Sequence, residues 1–452
     1  MENIQMLLKQ GAVGKPCEAI VKVGDKVKRG QLIATPTGLG ANVHSSVAGE
    51  VIDITEDRII IKPADKQPKT FEKIKKGTNL EMITEAGIIG QGGAGFPTAI
   101  KINANLDHGY ILVNASECEP GLAHNIQQID EDPAALLRGI KYVAEIAGAD
   151  KGIIAIKKKH REVIEKLDEL LKDEPMIERH LLPDIYPMGE ERAVVRECLG
   201  IELEPNQLPS AANAVVINSE TVYSCVKAIE DQKPLIDKNV TVRGKLVGGS
   251  DAHVFEDVPV GTSVQTLIDM AGGIDGEYGE IIMGGSFTGR ATTLDAPITK
   301  ATGAILVTMP FLDLKGAKMG ILVCACGGNL ERMQDLVKKY NATETCVCYC
   351  KQAQEQPNGT RKCERPGNCP GQVKNNLDFK KAGCEYIIIG NCSDCSNTVM
   401  ASGPKMGLKV FHMTDQAMRA VGHPLYRTLR VSKQVSQDLN VVDNPEDNET
   451  VE

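Results

Sequence analysis

Residues 87–102 read GIIGQGGAGFPTAIKI, with glycines at 87, 90, 92, 93 and 95 followed by Phe96, Pro97 and Lys101. A structural turn needs one or two glycines. A run this bare lets backbone N–H groups close on a phosphate or a ring edge, here beside an aromatic ring and a cation. Gly90, Gly92 and Gly95 satisfy G-x-G-x-x-G, a pattern that normally sits between a strand and a helix. ITEAGIIG, which runs into it, reads as a fair strand, and FPTAIKINANL allows only a short helix. The run therefore departs from a standard dinucleotide fold, and taken alone it also fits a buried glycine turn.

The residues beyond the run favour a cofactor crevice. YILVNA (110–115) and GIIAIK (152–157) are short apolar runs of the buried-strand type. Between them Asp132 and Pro133 supply an N-cap and a first-turn proline for a helix through Ala147. In HREVIEKLDELLK, Val163, Ile164, Leu167, Leu170 and Leu171 form one helical stripe. Strand–helix alternation predicts α/β architecture. Polar blocks then fall at strand ends, where such sheets hold ligands. VNASECEPG carries Asn114, Glu117, Cys118 and Glu119; YPMGEER carries Tyr186, Gly189 and Glu190; VINSETV carries Asn218 and Thr221.

Four regions separate along the 452 residues, and the fold class is multidomain α/β. Residues 1–75, with VKVGDKVKRGQLIA and VAGEVIDI, are β-rich and similar to the barrel-sandwich hybrid of lipoyl and biotinyl carriers. No lysine lies between Arg29 and Lys62, so a small docking module is expected rather than a carrier. Residues 76–235 are the α/β cofactor region, 236–312 a β-grasp-like module, and 313–430 a cysteine-rich α/β region. The tail at 431–452 carries six acids after Lys433 and is expected to be disordered.

Net charge is −9 with no basic block, which argues against nucleic acid as a partner. No apolar run approaches the ~18 residues of a membrane span, and no signal peptide is expected. A cytoplasmic protein with reduced thiols is the expectation. Cys17, Cys198 and Cys225 read as ordinary core or surface thiols. No two of the eight histidines are spaced H-x₃-H, so a histidine metal site is not expected.

GQGGAGFPT, VNASECEPG, YPMGEER and VINSETV occur here in the order in which they mark the flavin- and NADH-binding subunit of respiratory complex I. The chain resembles still more closely the C subunit of the Rnf electron-transport complex, with GGSFTG and DAPITKATGAIL (284–306) matching its β-grasp domain. Among such relatives it looks most like the proline-reductase-associated electron-transfer proteins of anaerobic amino-acid fermentation. The resemblance implies noncovalent FMN and NADH. It assigns Gly90, Gly92, Gly93 and Lys101 to the flavin phosphate and ring. Asn114, Glu117, Tyr186, Gly189, Glu190, Asn218 and Thr221 would complete the flavin site, and Phe96 and Glu119 would face the nicotinamide nucleotide. Ser116, Cys118 and Ser219 depart from the complex I pattern.

Ten of the 14 cysteines fall between 324 and 395. An extended TCVCYC puts Cys346, Cys348 and Cys350 on one face, and Cys324 and Cys326 share a face at their own strand end. Cys392 and Cys395 have the tight C-x-x-C redox spacing. GILVCACGGNLERM, NCPGQVKNN and EYIIIGNCSDC are similar to the N-terminal domain of the heterodisulfide reductase A subunit. Three readings stay open: an iron–sulfur cluster, with Cys324, Cys326, Cys346, Cys348, Cys350 and Cys369 as candidate metal ligands; a redox dithiol, with Cys392 and Cys395 as the pair; and structural zinc or inert thiols. The expected function is NADH oxidation through FMN, with electrons passed by cysteine centres to a partner, a proline-reductase-type enzyme or another reductase. A homo-oligomer is compatible with this. The alternative is a flavin-free docking subunit, or a thiol or metal redox subunit, of a reductase complex.

Overall fold

The computed structural model describes residues 2–93, 95–325, 328–357 and 359–423. Cys326 and the acidic tail at 431–452 lie outside the described residues. The N-terminal module is built from two small antiparallel sheets. One runs Ile4–Leu7, Arg58–Pro63, Gly49–Ile54, Lys26–Val27; the other runs Cys17–Ala19, Leu32–Pro36, Val43–His44. Strand alternation turns Ile59 and Ile61 into its core.

The second unit is a parallel sheet of β1 (Gly109–Ala115), β2 (Ala149–Lys157), β3 (Ile177–Leu182) and β4 (Ala214–Asn218), in the order β3-β2-β1-β4. Its helices are α1 (His124–Glu131), α2 (Pro133–Ala147), α3 (Arg161–Leu171), α4 (Glu191–Leu199) and α5 (Ser219–Glu230). The α2 boundaries obey the expected signals: Asp132 accepts from Ala135 N at 2.9 Å, Pro133 opens the helix, and Gly148 closes it in the left-handed conformation. In α3, Val163, Ile164 and Leu167 are buried, but Leu170 stays exposed at the edge of the stripe.

One expectation fails ahead of the glycine run. Ile83–Glu85 are not in a strand but end a helix, Asn79–Glu85, whose reciprocal Thr78–Glu81 capping box outweighs the weak β-propensity. After it the chain turns through a single bridge, Ile89 to Pro97, into the short helix Thr98–Ile102.

The third unit comprises β5 (Asp237–Gly244), β6 (His253–Pro259), α6 (Val264–Met270), β7 (Ile281–Met283), β8 (Arg290–Thr292) and β9 (Ala304–Val307). Strand order is β6-β5-β9-β7-β8 with β5 and β9 parallel, a β-grasp arrangement. The fourth is a parallel sheet of β10 (Lys318–Val323), β11 (Thr343–Tyr349), β12 (Tyr386–Ile389) and β13 (Lys409–His412), ordered β11-β10-β12-β13. Met319, Ile321 and Val323 face α7 (Leu330–Lys339), while Leu322 faces the layer containing Phe379 of α8 (Val373–Lys381) and Val399 of α9 (Ser393–Ser402). Gly320 leaves room for the Phe379 ring, which a Cβ would strike. No helix among the described residues is long and apolar enough to cross a membrane.

Lys300, in the loop between β8 and β9, is fully buried. Its Nζ donates to Asn42 O of the N-terminal module at 2.6 Å and to Gly87 O, at the head of the glycine run, at 2.8 Å. Its backbone N donates to Gln10 Oε1 at 3.0 Å. Burial lowers its pKa to about 7, and a neutral amine has two hydrogens for those two carbonyls. Between pH 7 and the free-lysine range near ~10.4, the unfolded chain binds the proton that the fold excludes, so this group adds stability as pH rises. Lys300→Met should lose at least about 2 kcal/mol through the two orphaned carbonyls. Its deficit against the wild-type chain should widen from pH 7 to 9 in thermal unfolding; a deficit that stays level would mean that Lys300 is charged in the fold.

Candidate functional site

Winding of the β3-β2-β1-β4 sheet reverses between β1 and β4, and ligands bind at the carboxyl ends beside such a reversal. Asn114 and Asn218, near the ends of those strands, are register partners. A cavity of about 870 Å³ opens there. Of the residues expected in the flavin and nucleotide sites, Gly92, Gly93, Asn114, Glu117, Glu119, Tyr186, Gly189, Glu190 and Asn218 line it.

The strand ends hold one another in place. Asn114 Nδ2 donates to Gly189 O at 2.9 Å, and Asn114 Oδ1 accepts from Ser116 Oγ at 2.6 Å. Asn218 caps α5 through Glu220 N at 2.9 Å. Glu190 caps α4 by accepting from Arg192 N and Ala193 N, and it pairs with Arg192 Nε at 3.0 Å. Burial raises the carboxyl pKa values of Glu117 and Glu119 and the thiol pKa of Cys118.

Four expected residues are not on the cavity lining. Gly90 and Phe96 close the glycine turn on themselves, Gly90 N donating to Phe96 O at 2.8 Å. Thr221 Oγ1 accepts from Gln91 N at 3.0 Å and anchors the run from below. Lys101, expected at the phosphate, instead pairs with Glu191, because the short helix Thr98–Ile102 points its last turn at the start of α4. The cations on the lining are Lys9 and Arg290, both exposed.

Glu119 lines the cavity, yet its carboxylate serves the β-grasp module. It accepts from Phe287 N at 2.6 Å and Thr288 N at 3.1 Å. Residues 284–303 form a cavity wall that motif reading undervalued; the pair Gly284-Gly285 was its signal. Asn125 is a second omission, a buried residue of α1 on the lining whose Oδ1 has no partner among the described residues. Nothing in its sequence context marks it.

The cavity suits a flat polar group such as FMN. Gly93 has φ +123° and no described atom within 4 Å of where a Cβ would stand. A Cβ on Gly92 would meet Asn218 Nδ2 at 3.2 Å, and one on Gly189 would meet Ser116 Oγ at 2.7 Å. Bare backbone at Gly93 therefore faces space that a ligand with ring edges and hydrogen-bonding atoms would fill, and a buried orphaned oxygen lies in the same lining at Asn125.

The fourth unit also touches this cavity, where Ala325, next to Cys324, reaches the lining. Ser393 N donates to Tyr186 O at 3.1 Å, and Tyr186 N donates to Ser393 Oγ at 3.0 Å. Asn391 Nδ2 donates to Phe287 O at 3.2 Å. The fourth sheet also reverses its winding, between β10 and β12, and the cysteines gather at that end.

The five described candidate ligands do not form one set. Cys346 and Cys348 share a face of β11 as expected, with sulfurs 3.9 Å apart, and lie towards Cys384. Cys350 parts from them because the strand ends at Tyr349; it turns to Gln372, whose Nε2 donates to Cys350 Sγ at 3.4 Å and to Cys369 Sγ at 3.3 Å. Cys324 packs under Gly390 and beside Cys395. Among the described residues no group of three or more His, Cys, Asp or Glu is arranged to hold a metal ion, and no described cysteine is in a disulfide.

Cys392 caps α9 and Cys395 lies in its first turn, both buried. Cys369 comes up against the same helix, its Sγ lying 3.1 Å from Thr398 Oγ1, three residues after Cys395. A hydrogen bond from Cys395, with others from Thr398 at 3.1 Å and Gln372, brings the Cys369 thiol down to about 6. The same contact and burial push Cys395 well above the usual thiol range.

Comparison with known proteins agrees with this layout. Residues 2–68 match the family profile described as the RnfC barrel sandwich hybrid domain, and residues 83–227 match that of the Nuo51 FMN-binding domain. The cobalamin reductase PduS of Salmonella typhimurium is 37% identical over 228 residues, 50% of this chain and 49% of that protein. The C subunit of the Na(+)-translocating ferredoxin:NAD(+) oxidoreductase complex of Acetobacterium woodii is 30% identical over 315 residues, 65% of this chain and 70% of that protein. The chain thus spans about half the length of the cobalamin reductase it matches. A NAD+-reducing [NiFe]-hydrogenase chain covers 51% of this chain and 46% of its own length at 24% identity and TM-score 0.44.

Gly285 tests the clasp on Glu119, because a Cβ there would strike the Glu119 carboxylate. Gly285→Ala should destabilise by about 1–3 kcal/mol, as overpacking does. Combined with Glu119→Ala it should cost clearly less than the sum of the single changes in denaturant unfolding. Simple additivity would mean that the loop and the carboxylate do not touch.

Proposed function

We propose that this chain, which belongs to the family of C subunits of Rnf-type ferredoxin:NAD(+) oxidoreductase complexes, oxidises NADH and delivers the electrons through its cysteine-rich unit to a partner reductase. The observation that carries the reading is one cavity lined by the glycine run, the paired asparagines and, from the cysteine-rich unit, Ala325 beside Cys324. FMN bound there would supply the hydride-accepting chemistry and the step from electron pairs to the sulfurs.

The chain's own residues bind and orient. Gly92 and Gly93 present bare backbone to the ligand, and Asn114 and Asn218 fix the strand ends beneath it. Lys9 and Arg290 take the phosphate-facing role first expected of Lys101. Glu119 draws the 284–289 loop across the mouth and narrows the access of water. No protein acid or base is required for hydride transfer, so the weight falls on positioning, with reacting atoms ~3–3.5 Å apart. The partner is a reductase of the proline-reductase type; the support for that choice is sequence resemblance in the cysteine-rich layout.

Anaerobically purified protein should show a flavin band that bleaches on adding NADH. Gly92→Val should abolish bound flavin and NADH-to-dye activity, at least about tenfold in kcat/KM, while the far-UV spectrum and the thiol count of the cysteine-rich unit stay unchanged. Full flavin occupancy in that variant would count against the cavity as the flavin site.

A further inference from the structure

We propose that Cys369 and Cys395 form a reversible disulfide, a two-electron store that reduces a disulfide on the acceptor. The inference deepens the reading above and rests on it only for the source of electrons.

Geometry selects the pair. Cys395 lies in the first turn of α9, three residues before Thr398, whose hydroxyl touches the sulfur of Cys369, and Cys369 itself precedes α8. Cys369 Sγ is further held by Thr398 Oγ1 at 3.1 Å and Gln372 Nε2 at 3.3 Å, and Cys369 N donates to Asp394 Oδ2 at 3.2 Å. Thr398 Oγ1 in turn contacts Cys395 O at 3.1 Å, so the same helix that carries Cys395 also fixes its partner. Cys369 is half-buried and reachable, whereas Cys395 is buried. That asymmetry suits an attacking thiol and a resolving thiol. Cys392, the other half of the C-x-x-C spacing, caps the helix.

The chemistry balances. One hydride equivalent, drawn from NADH, brings two electrons and a proton to the disulfide. The S–S bond breaks, Cys395 leaves as the thiol and Cys369 as the thiolate. Cys369 then attacks one sulfur of the acceptor disulfide, and the first acceptor thiolate departs. Cys395 gives up its proton to that thiolate and attacks Cys369, releasing the second acceptor thiolate and closing the internal disulfide. Cys324, beside Cys395, adjoins Ala325 on the cavity wall, which places the pair near the hydride source.

The test needs neither flavin nor NADH. The full chain is reduced, freed of reductant, treated with diamide, alkylated and mapped by mass spectrometry, with iron and zinc measured on the same sample. The expected product is a Cys369–Cys395 cross-link that phosphine reverses. With 5,5′-dithiobis(2-nitrobenzoate) as the acceptor disulfide, the wild-type chain should leave no adduct on Cys369. Cys395→Ser should trap the mixed disulfide there, and Cys392→Ser should behave as wild type. A Cys392–Cys395 cross-link, a Cys369 that stays alkylatable after diamide, or a stoichiometric metal lost in Cys369→Ser would each overturn the proposal. Because these readouts are independent of bound flavin, a colourless protein that still forms the cross-link would refute the NADH reading and leave the disulfide standing.

Discussion

The buried Lys300 amine is the constraint on which the rest of the arrangement depends. The cavity is not a feature of any one unit; it exists only while the N-terminal module, the parallel sheet and the β-grasp module keep their relative positions. Lys300 touches all three, with its side chain on Asn42 and Gly87 and its backbone on Gln10. Gly87 can be there only as glycine, since it has φ +67° and a Cβ would strike Asn42 O. Further polar links run alongside: Ser46 Oγ to Val260 O at 2.6 Å, Arg29 to Asp237 at 2.6 Å, and the buried pair Lys238–Glu220 at 2.5 Å. Polar links of this kind add little net stability but penalise misdocking, because every alternative leaves a buried group without its partner.

The Glu119 carboxylate ties the parallel-sheet unit to the β-grasp module on the cavity lining, as Lys300 ties that module to the other two units. A strand-end acid was expected to meet the nucleotide; here it is consumed in holding Phe287 and Thr288. Phe287 then packs edge-on against Tyr186, with ring centroids 4.6 Å apart, and its carbonyl receives Asn391. Tyr186 exchanges backbone and hydroxyl hydrogen bonds with Ser393. The contacts that shape the cavity are thus continuous with those that dock the sulfur-bearing loop, and a change at Glu119 would reach both.

Much of the fold was legible because its signals are local. Asp132-Pro133 and Gly148 bound a helix through physics contained in a few residues, and the apolar runs at 110–115 and 152–157 are strands as read. The polar blocks of the cavity were legible because they fall at strand ends. What misled was any inference that depended on neighbours in space. Lys101 stands four residues from Pro97 and looks free, but Glu191 lies ninety residues away in sequence and claims it. Asn125 has no motif, and its significance is only that its oxygen is left alone in the fold. The C-x-x-C spacing shows Cys392 and Cys395 but not what lies beside them. At the helix start Cys392 takes the N-cap position, and the fold brings Cys369, far off in sequence from the motif, against Thr398 of the same helix.

The division of the cysteines comes from strand geometry. A period of two aligns side chains only while the chain stays extended, so Cys346 and Cys348 remain together and Cys350, one residue beyond the strand, is released towards Gln372. That release carries it to the carboxyl edge of the fourth sheet, where the winding reverses and where Cys324 and Cys392 end their own strands. The first sheet opens its reversal point on the cavity with glycine and asparagine, and the second, where the sulfurs gather, adjoins that cavity through Ala325. Each is the ordinary ligand-binding edge of an α/β sheet. Bringing the two edges together requires no new element of structure, only docking contacts such as those of Glu119 with Phe287 and of Tyr186 with Ser393.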